Sequence, residues 1–251
     1  MKMKTVYVNS AISFEAEPDY RKYFSPIEAR RMGSLMKMAV AASTEALRAA
    51  GMESTDAIIT GTGLGSVECT EKFLLGLCGV EGYDMKPTNF MQSTHNTIGS
   101  LIGIRTKNHG YNSTYAQRGI SFESALLDGY TRILLGDSSS VMAGCYEQLT
   151  PRYTTLLSKI GEDGKVFQDC AVSTIISERK EGAICRLSSV KLLYKPQSVD
   201  IPKDAEILDC KGGASARVFC QAVEMIRGGA RKVAIRNEAP GSEVAITILE
   251  K

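Results

Sequence analysis

The chain has 251 residues, 43% of them hydrophobic, and its 30 basic and 28 acidic side chains leave a net charge of +2. A chain of this size and composition buries a large core, so we expect a folded globular protein. The balanced charge, with no Lys/Arg block longer than two residues, excludes a nucleic-acid or lipid-headgroup partner. No run approaches the ~20 apolar residues that span a bilayer, and the first residues lack an apolar signal segment. A cytoplasmic location without membrane contact is therefore expected.

The cysteines argue against disulfides and against metal binding. They are odd in number, none has C-x-x-C spacing, and most lie among apolar residues: Cys69, Cys78, Cys145, Cys170, Cys185, Cys210 and Cys220. We predict reduced core side chains rather than activated thiolates or a zinc ribbon. No His/Cys/Glu cluster has the spacing of metal ligands, so neither a metal nor a cofactor is expected.

Apolar periodicity predicts alternating strands and helices along the first half of the chain. A first strand is followed by a long helix with a stripe of small apolar side chains, which ends at Gly51 as its C-cap. A short buried strand then runs into a glycine loop, and two further helices follow. The predicted ranges are 4–8 for the first strand, 27–50 for the long helix, 57–66 for the strand and glycine loop, and 71–79 and 90–107 for the later helices.

The second half begins with a polar strand that ends in a sharp turn. YNSTY (111–115) runs into Gln117-Arg118-Gly119, and apolar residues at helical spacing then predict a helix from Ser121. Strands are predicted next at 132–140, 170–179 and 185–194, with a Gly/Cys/Pro loop after the first of them.

The last 40 residues, 212–251, repeat an order of elements that occurs earlier in the chain. A glycine turn, a helix, a strand, a loop and a strand follow one another in both places. VAITIL (244–249) corresponds to VSTIIS (172–177), and Gly229 before one strand corresponds to Gly129 before another. Two such units predict a layered α/β fold with two central sheets and with helices between and outside them.

Several local motifs suggest chemistry, and each has a plainer interpretation. GTGLGS (61–66) lacks the last glycine of a dinucleotide fingerprint and the Gly-Lys-Ser/Thr of a P-loop, so its glycines are interpreted as close backbone approach at a strand end. The only two histidines, His95 and His109, are interpreted as a polar helix position and a turn residue. Ser121 lacks the glycine two residues later that a G-x-S-x-G elbow requires.

Taken in order, the segments resemble the N-terminal half of a β-ketoacyl-acyl-carrier-protein synthase of the thiolase superfamily. EARRMGSLMKMAVAASTEALRAAG (28–51) resembles its first long helix, and AIITGTGLGS (57–66) its next strand and glycine turn. PTNFMQSTHNTIGSLIGI (87–104) resembles its dimer-side helix, and YAQRGISFESALLDGYTRILLGDSSS (115–140) its nucleophile elbow, helix and strand. The resemblance implies one thiolase-like α-β-α-β-α domain over 1–251, with a ketosynthase-like half at 1–180 and a shortened C-terminal half at 181–251.

Two departures from the family pattern bear on activity. The family has Ala-Cys at the elbow, and its cysteine takes the acyl chain as a thioester at a helix N-terminus that lowers the thiol pKa. Here Ala116 is followed by Gln117, and Gly119 completes the turn. An amide is no nucleophile, so thioester formation is excluded at this position. The family's His-Gly-Thr-Gly-Thr motif and second histidine, which act on the malonyl unit, have no counterpart.

Glutamine at this position occurs in two branches of the family. Chain-length factors pair with an active synthase and shape a shared tunnel, whereas loading-type synthases hold a malonyl group with the help of the two histidines. Because these histidines are missing, we predict a non-condensing, chain-length-factor-like subunit in fatty-acid, aryl-polyene or polyketide-type biosynthesis. The alternatives are an active acyltransferase or malonyl decarboxylase, and a non-catalytic module that binds acyl chains or a carrier protein.

The resemblance also implies partners and contact residues. A homodimer, or a heterodimer with an active ketosynthase, is expected. An acyl carrier protein is a further candidate partner, with its phosphopantetheine thioester as the ligand. The interface or tunnel positions carried over from the family are Phe90, Met91, His95, Ile98 and Phe122.

Overall fold

The computed structural model describes residues 3–14, 16–160, 169–239, 241 and 243–251, which form nine strands and eight α-helices. The strands are β1 (Tyr7–Ser13), β2 (Ala57–Gly61), β3 (Tyr111–Tyr115), β4 (Ser140–Glu147), β5 (Cys170–Ser177), β6 (Cys185–Tyr194), β7 (Glu206–Cys210), β8 (Lys232–Ala239) and β9 (Glu243–Glu250). The helices are α1 (Pro26–Arg30), α2 (Ser34–Ala50), α3 (Val67–Leu77), α4 (Pro87–Ser93), α5 (Thr97–Arg105), α6 (Ser121–Leu135), α7 (Pro151–Lys159) and α8 (Ser215–Arg227).

The nine strands form one sheet in the order β3-β2-β4-β5-β1-β6-β9-β8-β7. This sheet has two parts, because β1 pairs with β5 along its length but with β6 only at Tyr7 and Val8. A β-bulge next to Asn9 marks the place where β1 and β6 part. The predicted α/β class is therefore confirmed, and the expectation of two separate sheets is corrected to two parts joined by a short junction.

The internal duplication predicted from the sequence is present in the topology. In the first part, β3 leads through a 3₁₀ turn into α6, β4 and β5; in the second, β7 leads through a 3₁₀ turn into α8, β8 and β9. The strands β4/β5 and β8/β9 are antiparallel in both units. The first part contains β2 between β3 and β4, whereas β7 pairs directly with β8. The second unit is thus a reduced copy of the first.

Helices α6 and α8 form the layer between the two parts of the sheet. Helix α6 contacts β2 and β4 of the first part and β6 of the second, while α8 contacts β8 and also β1. The rings of Phe122 and Phe219 meet edge to face between these helices, with centroids 5.5 Å apart. Burying both aromatic side chains here stabilises the two halves as one core.

The outer faces of the two parts are covered differently. Helices α2 and α5 cover the first part, and α2 contacts β5, β1 and β4. On the second part, Ala234, Ile246 and Ile248 are packed by side chains of the loop between β6 and β7, namely Val199, Ile201 and Ala205. Ion pairs such as Arg236–Asp209 lie beside them. A loop therefore stands where the predicted α-β-α-β-α order places its fifth layer.

Several predicted boundaries were wrong for identifiable reasons. The helix predicted at 27–50 is broken at Gly33 into α1 and α2, and the one predicted at 90–107 is broken after Ser93. The strand predicted at 132–140 is wrong, because Ile133 and its neighbours continue α6 until Gly136 ends it at φ 83°. The true strand, β4, occupies residues predicted as a loop, and α7 and β7 were not predicted. Of the helices that the structure describes, none is long and apolar enough to cross a membrane.

Replacing Phe219 tests the shared core. Phe219 is fully buried, so Phe219→Ala leaves a cavity between the halves and should lower the free energy of unfolding by about 3–5 kcal/mol. Urea denaturation followed by circular dichroism measures this. Tyr194→Ala, at a side chain that is 67% exposed, is the matched control and should change stability little. A loss below about 1 kcal/mol for Phe219→Ala would contradict the assignment of this ring to a common core.

Candidate elbow site

The turn between β3 and α6 has a strained backbone that leaves the side chain of Gln117 exposed. After Tyr115 the chain passes through Gln117 into a 3₁₀ turn at Arg118–Ile120, and Arg118 has a left-handed φ of 50°. Such a φ is rare for a residue with a side chain and indicates local strain. The backbone N–H of Gln117 donates to Ser121 Oγ at 2.8 Å, and Ser121 Oγ donates to Arg118 O at 2.8 Å. These bonds hold the strained turn at the start of α6.

Gln117 presents an oriented amide at this turn. Ala116, Gln117 and Arg118 are all exposed. The buried hydroxyl of Ser124, one turn into α6, donates to Gln117 Oε1. Among the described residues no hydrogen-bond acceptor contacts Gln117 Nε2, so this group is directed to solvent or to a partner. The side chain is therefore neither packed in the core nor enclosed in a cavity of the isolated chain.

Two glycines allow the turn to lie against other backbone. A Cβ on Gly119 would lie 2.7 Å from Gly212 Cα, in the matching turn before α8, and a Cβ on Gly61 would lie 2.4 Å from Ser121 O. Real Cβ atoms do not approach backbone so closely, so only glycine fits at these positions. The interpretation of the GTGLGS glycines as close backbone approach is confirmed at Gly61.

A buried polar pair lies beneath the turn. Asn237 Nδ2, from β8, donates to Gly119 O at 2.8 Å and to Glu123 Oε1 at 2.8 Å. Among the described residues, Glu123 Oε2 and Asn237 Oδ1 are buried and have no partner. Burial raises the pKa of Glu123 from 4.5 to about 7, although the bond from Asn237 lowers it. A proton on Glu123 would satisfy both remaining oxygens, because an acid and an amide can exchange two hydrogen bonds.

A second buried carboxylate fills the glycine loop. The backbone amides of Gly63 and Leu64 and the hydroxyl of Thr62 donate to Glu147, at the end of β4. Burial nonetheless raises the pKa of Glu147 from 4.5 to about 7. The loop is thus an anion-binding nest that the chain fills with its own carboxyl group. Sequence reasoning missed Glu147, although a glutamate in an apolar strand beside a glycine loop was a usable signal.

The family described as Beta-ketoacyl synthase, N-terminal domain, matches residues 9–238, which is most of the chain. The chain belongs to this family. The thiolase-like fold that the sequence implied is therefore confirmed. No curated protein matches the chain.

Solved structures share the ketosynthase fold at low sequence identity. One, described as the AntDE:AntF complex of a type II PKS acyl-carrier protein with its ketosynthase bound to the hexaketide, has 12% identity and a TM-score of 0.77, over 98% of this chain and 99% of that one. A beta-ketoacyl synthase from Burkholderia phymatum STM815 has 14% identity and a TM-score of 0.77, over 99% and 100%. The ishigamide ketosynthase/chain length factor has 12% identity and a TM-score of 0.74, over 99% and 98%.

The ketosynthase-family positions named from the sequence fall into two groups in the structure. Phe90 and Met91 are 57% and 70% exposed on α4, and His95 is exposed and lies against Gly65 of the glycine loop. Ile98 and Phe122 are core side chains, 4% and 3% exposed. The first group is available to a partner subunit. The second is not on the surface of the isolated chain.

Four cysteines of this ketosynthase-family chain are poor sources of a reactive thiolate. Burial raises the pKa of Cys185, Cys210 and Cys220 to about 12. The Cys170 thiol, 3.7 Å from Cys145, together with burial raises the pKa of Cys145 as well. A thiol with a raised pKa is a poor source of thiolate. Within the described ranges, no group of three or more His, Cys, Asp or Glu side chains could hold a metal ion.

Glu123 should make the stability of this ketosynthase-family chain depend on pH. The pKa of Glu123 is about 7 in the folded chain, whereas an ordinary glutamate has a pKa of 4.5. Between these pH values the unfolded chain therefore binds fewer protons than the folded chain. Stability then falls as pH rises from about 4.5 to about 7, by up to about 3 kcal/mol for this group. The nearest titratable groups, the Cys145 and Cys210 thiols, stay neutral in this range because their pKa values are raised.

Glu123→Gln keeps the shape and removes the titration. The variant should match the wild type near pH 4.5 and exceed it near pH 8, because its amide can still pair with Asn237. Urea denaturation across this pH range measures the difference, and Glu53→Gln, at an exposed position, is the control. Equal pH dependence in the wild type and Glu123→Gln would show that Glu123 is not buried in its neutral form.

Proposed function

We propose that the chain is a non-condensing partner subunit of an active ketosynthase, of the chain-length-factor type, in fatty-acid, aryl-polyene or polyketide-type biosynthesis. One observation carries the proposal: a chain of the ketosynthase family has a strained turn before α6 with an exposed Gln117 at its start. The proposal places Gln117 at the position of the family's nucleophilic cysteine. An amide cannot form a thioester, so the chain cannot condense acyl units at this position. The elbow then serves assembly and the shape of the site.

The placement of the histidines favours a partner role over malonyl decarboxylation. Decarboxylation in this family uses two histidines as hydrogen-bond donors to the developing enolate. His109 lies before β3 and Gln117 after it, so the strand separates them by roughly 20 Å. His95 lies against the glycine loop, at the same end of the sheet as Gln117. Only one histidine therefore lies at the same end of the sheet as Gln117, whereas decarboxylation needs two histidines as hydrogen-bond donors.

An exposed apolar surface supports a partner subunit. Helices α3 to α5 and the segments joining them carry large hydrophobic side chains that the chain itself leaves uncovered: Leu77, Val80, Tyr83, Met85, Phe90, Met91 and Ile104. The sheet also ends at β3, a five-residue edge strand that pairs only with β2. Contiguous exposed apolar surface of this kind is typical of protein interfaces. We propose that the ketosynthase binds here, beside the elbow.

Two of the similar solved structures support the choice of partner. One is described as a ketosynthase/chain length factor and the other as an acyl-carrier protein in complex with its ketosynthase. Their identities to this chain are 12%, so they support the fold directly and the partnership by analogy. We extend the proposal to an acyl carrier protein, whose phosphopantetheine thioester would be delivered to the ketosynthase of the pair.

A groove between α3 and α7 is the candidate acyl-chain surface. It has a volume of about 350 Å³ and is lined mainly by apolar side chains, including Leu64, Leu74, Leu75 and Leu156, with Arg152 and Glu71 among the polar ones. Leu64 belongs to the glycine loop that holds Glu147, so the groove begins near the elbow's end of the sheet. Apolar lining with few polar groups suits a hydrocarbon chain. We propose that it limits the length of the growing product.

Co-expression with an active ketosynthase tests the partnership. We expect a stable heterodimer in size-exclusion chromatography, and Met91→Lys should weaken its association at least tenfold, because a charge would be buried in an apolar interface. Tyr194→Lys places the same charge at a 67% exposed position on the second half and is the matched control. A homodimer that affects the activity of no ketosynthase would refute the partnership and would favour the alternative of a non-catalytic binding module.

Filling the groove tests the length-limiting role. Leu74→Trp should shorten the product made by the heterodimer, because the larger ring occupies the space for the chain end. Leu135→Trp, at a side chain of nearly equal exposure outside the groove (48% against 49%), should leave product length unchanged. Mass spectrometry of the products provides the measurement. Unchanged length with an intact heterodimer would reject the groove as the determinant.

The decarboxylase alternative has its own readout. The isolated chain is incubated with malonyl carrier protein, and the release of carbon dioxide is followed. Turnover that disappears in Gln117→Ala would support a loading-type enzyme and overturn the non-catalytic proposal. No turnover, together with heterodimer formation, supports the partner role.

A further inference from the structure

Strand β1 has a free edge where the two parts of the sheet separate. It pairs with β5 from Tyr7 to Ser13, but β6 pairs only with Tyr7 and Val8. The side chain of Asn9, at the bulge, donates to Arg179 O and accepts from Ser177 Oγ. Beyond it, residues 11–13 have no strand on their second side among the residues that the structure describes. Unpaired strand edges are templates for added strands.

A large groove opens onto this edge. Its volume is about 1250 Å³, and residues 11–14 lie at its base. Helix α2 forms one wall and α8 the other, with the 3₁₀ turn at Tyr20–Lys22 at one end. Ile12, Phe14 and Met225 supply apolar surface. The groove therefore combines main-chain hydrogen-bonding groups, apolar contacts and two helical walls.

The charges that line the groove are unbalanced. Glu45 is held by Arg48 and accepts from Tyr23 Oη at 2.8 Å, and Glu224 pairs with Arg227 at 2.7 Å. Lys22 on one side and Arg217 on the other also line the groove. In the described part of the chain no carboxylate pairs with either of these two cations. Counted over the described residues that line it, the groove has a net positive charge, with Lys22 and Arg217 as the cations that no described carboxylate pairs.

We propose that this groove docks an extended acidic segment of another protein, which pairs with the free edge of β1. Strand addition gains its affinity from main-chain hydrogen bonds, and the side chains on alternate residues give specificity. Carboxylates on the added segment would meet Lys22 and Arg217. A basic segment would be repelled by the same cations, which gives the site its selectivity.

The two outer edges of the sheet, β7 and β3, differ from this one. β7 is a five-residue edge whose Asp209 is held by Arg236 of β8, so its charge is already paired. β3 is a five-residue edge beside the apolar surface of α3 to α5. The β1 edge alone of these three lies in a groove between two helices with unpaired cations. The inference does not depend on the proposed ketosynthase partnership, which concerns β3.

A labelled peptide tests the docking. A fluorescein-labelled peptide of sequence TEVEVET, which alternates carboxylates with strand-forming residues, should bind the purified chain in fluorescence anisotropy, whereas TKVKVKT should not. Arg217→Glu should weaken binding about tenfold, a loss typical of one charged contact. Arg231→Glu, an exposed arginine outside the groove, should not. Lys22→Glu provides a second variant in case Arg217→Glu unfolds. Absence of binding by TEVEVET would overturn the proposal.

Hydrogen exchange separates strand addition from simple charge attraction. Bound TEVEVET should slow exchange of amides in 11–14 and leave those of the β3 edge unchanged. Binding without protection at 11–14 would refute strand pairing. Equal displacement of the peptide by inorganic pyrophosphate at matched ionic strength would instead identify a small-anion site, and would also overturn the proposal.

Discussion

The contact between Gly119 and Gly212 is the constraint on which the rest of the structure depends. A Cβ at Gly119 would lie 2.7 Å from Gly212 Cα, so the two 3₁₀ turns touch backbone to backbone. Each turn begins one central helix, and their contact therefore places α6 beside α8 and one part of the sheet on each side. Asn237 secures the joint by donating to Gly119 O from the second part. The elbow is thus a structural joint between the two parts of the chain.

The elbow turn is held by groups other than the side chain of Gln117. The hydroxyls of Ser121 and Ser124 bond to backbone groups of the turn itself, and a buried polar group left without a partner costs about 1–3 kcal/mol. Because the side chain of Gln117 is exposed, a different side chain at this position would leave these bonds in place. The fold of this turn is therefore independent of the side chain at position 117.

The sequence predicted the class of fold, the duplication and the elbow because these depend on local periodicity and on glycines at fixed places. It failed where long-range packing decides. The apolar run at 132–135 suits a strand or a helix, and burial of Ile133 against the sheet selected the helix. Glu123 pairs with Asn237 from a distant strand, and Glu147 pairs with the distant glycine loop, so no local spacing could predict either contact. The two-part sheet likewise depends on a junction of only two residue pairs.

The two outer edges of the sheet and the free edge of β1 have chemically different surroundings. On β7 the charge of Asp209 is paired with Arg236, and exposed apolar side chains lie beside β3. The β1 edge is flanked by Lys22 and Arg217, which have no carboxylate partner among the described residues. A chain that folded only to be a self-contained monomer would gain by blunting all three edges in the same way, since free edges promote aggregation. The β3 edge, with apolar surroundings, and the β1 edge, with basic surroundings, would therefore bind different partners, one apolar and one acidic. The shortened fold is in this sense organised for assembly, and its surfaces can engage different partners without competing for the same edge.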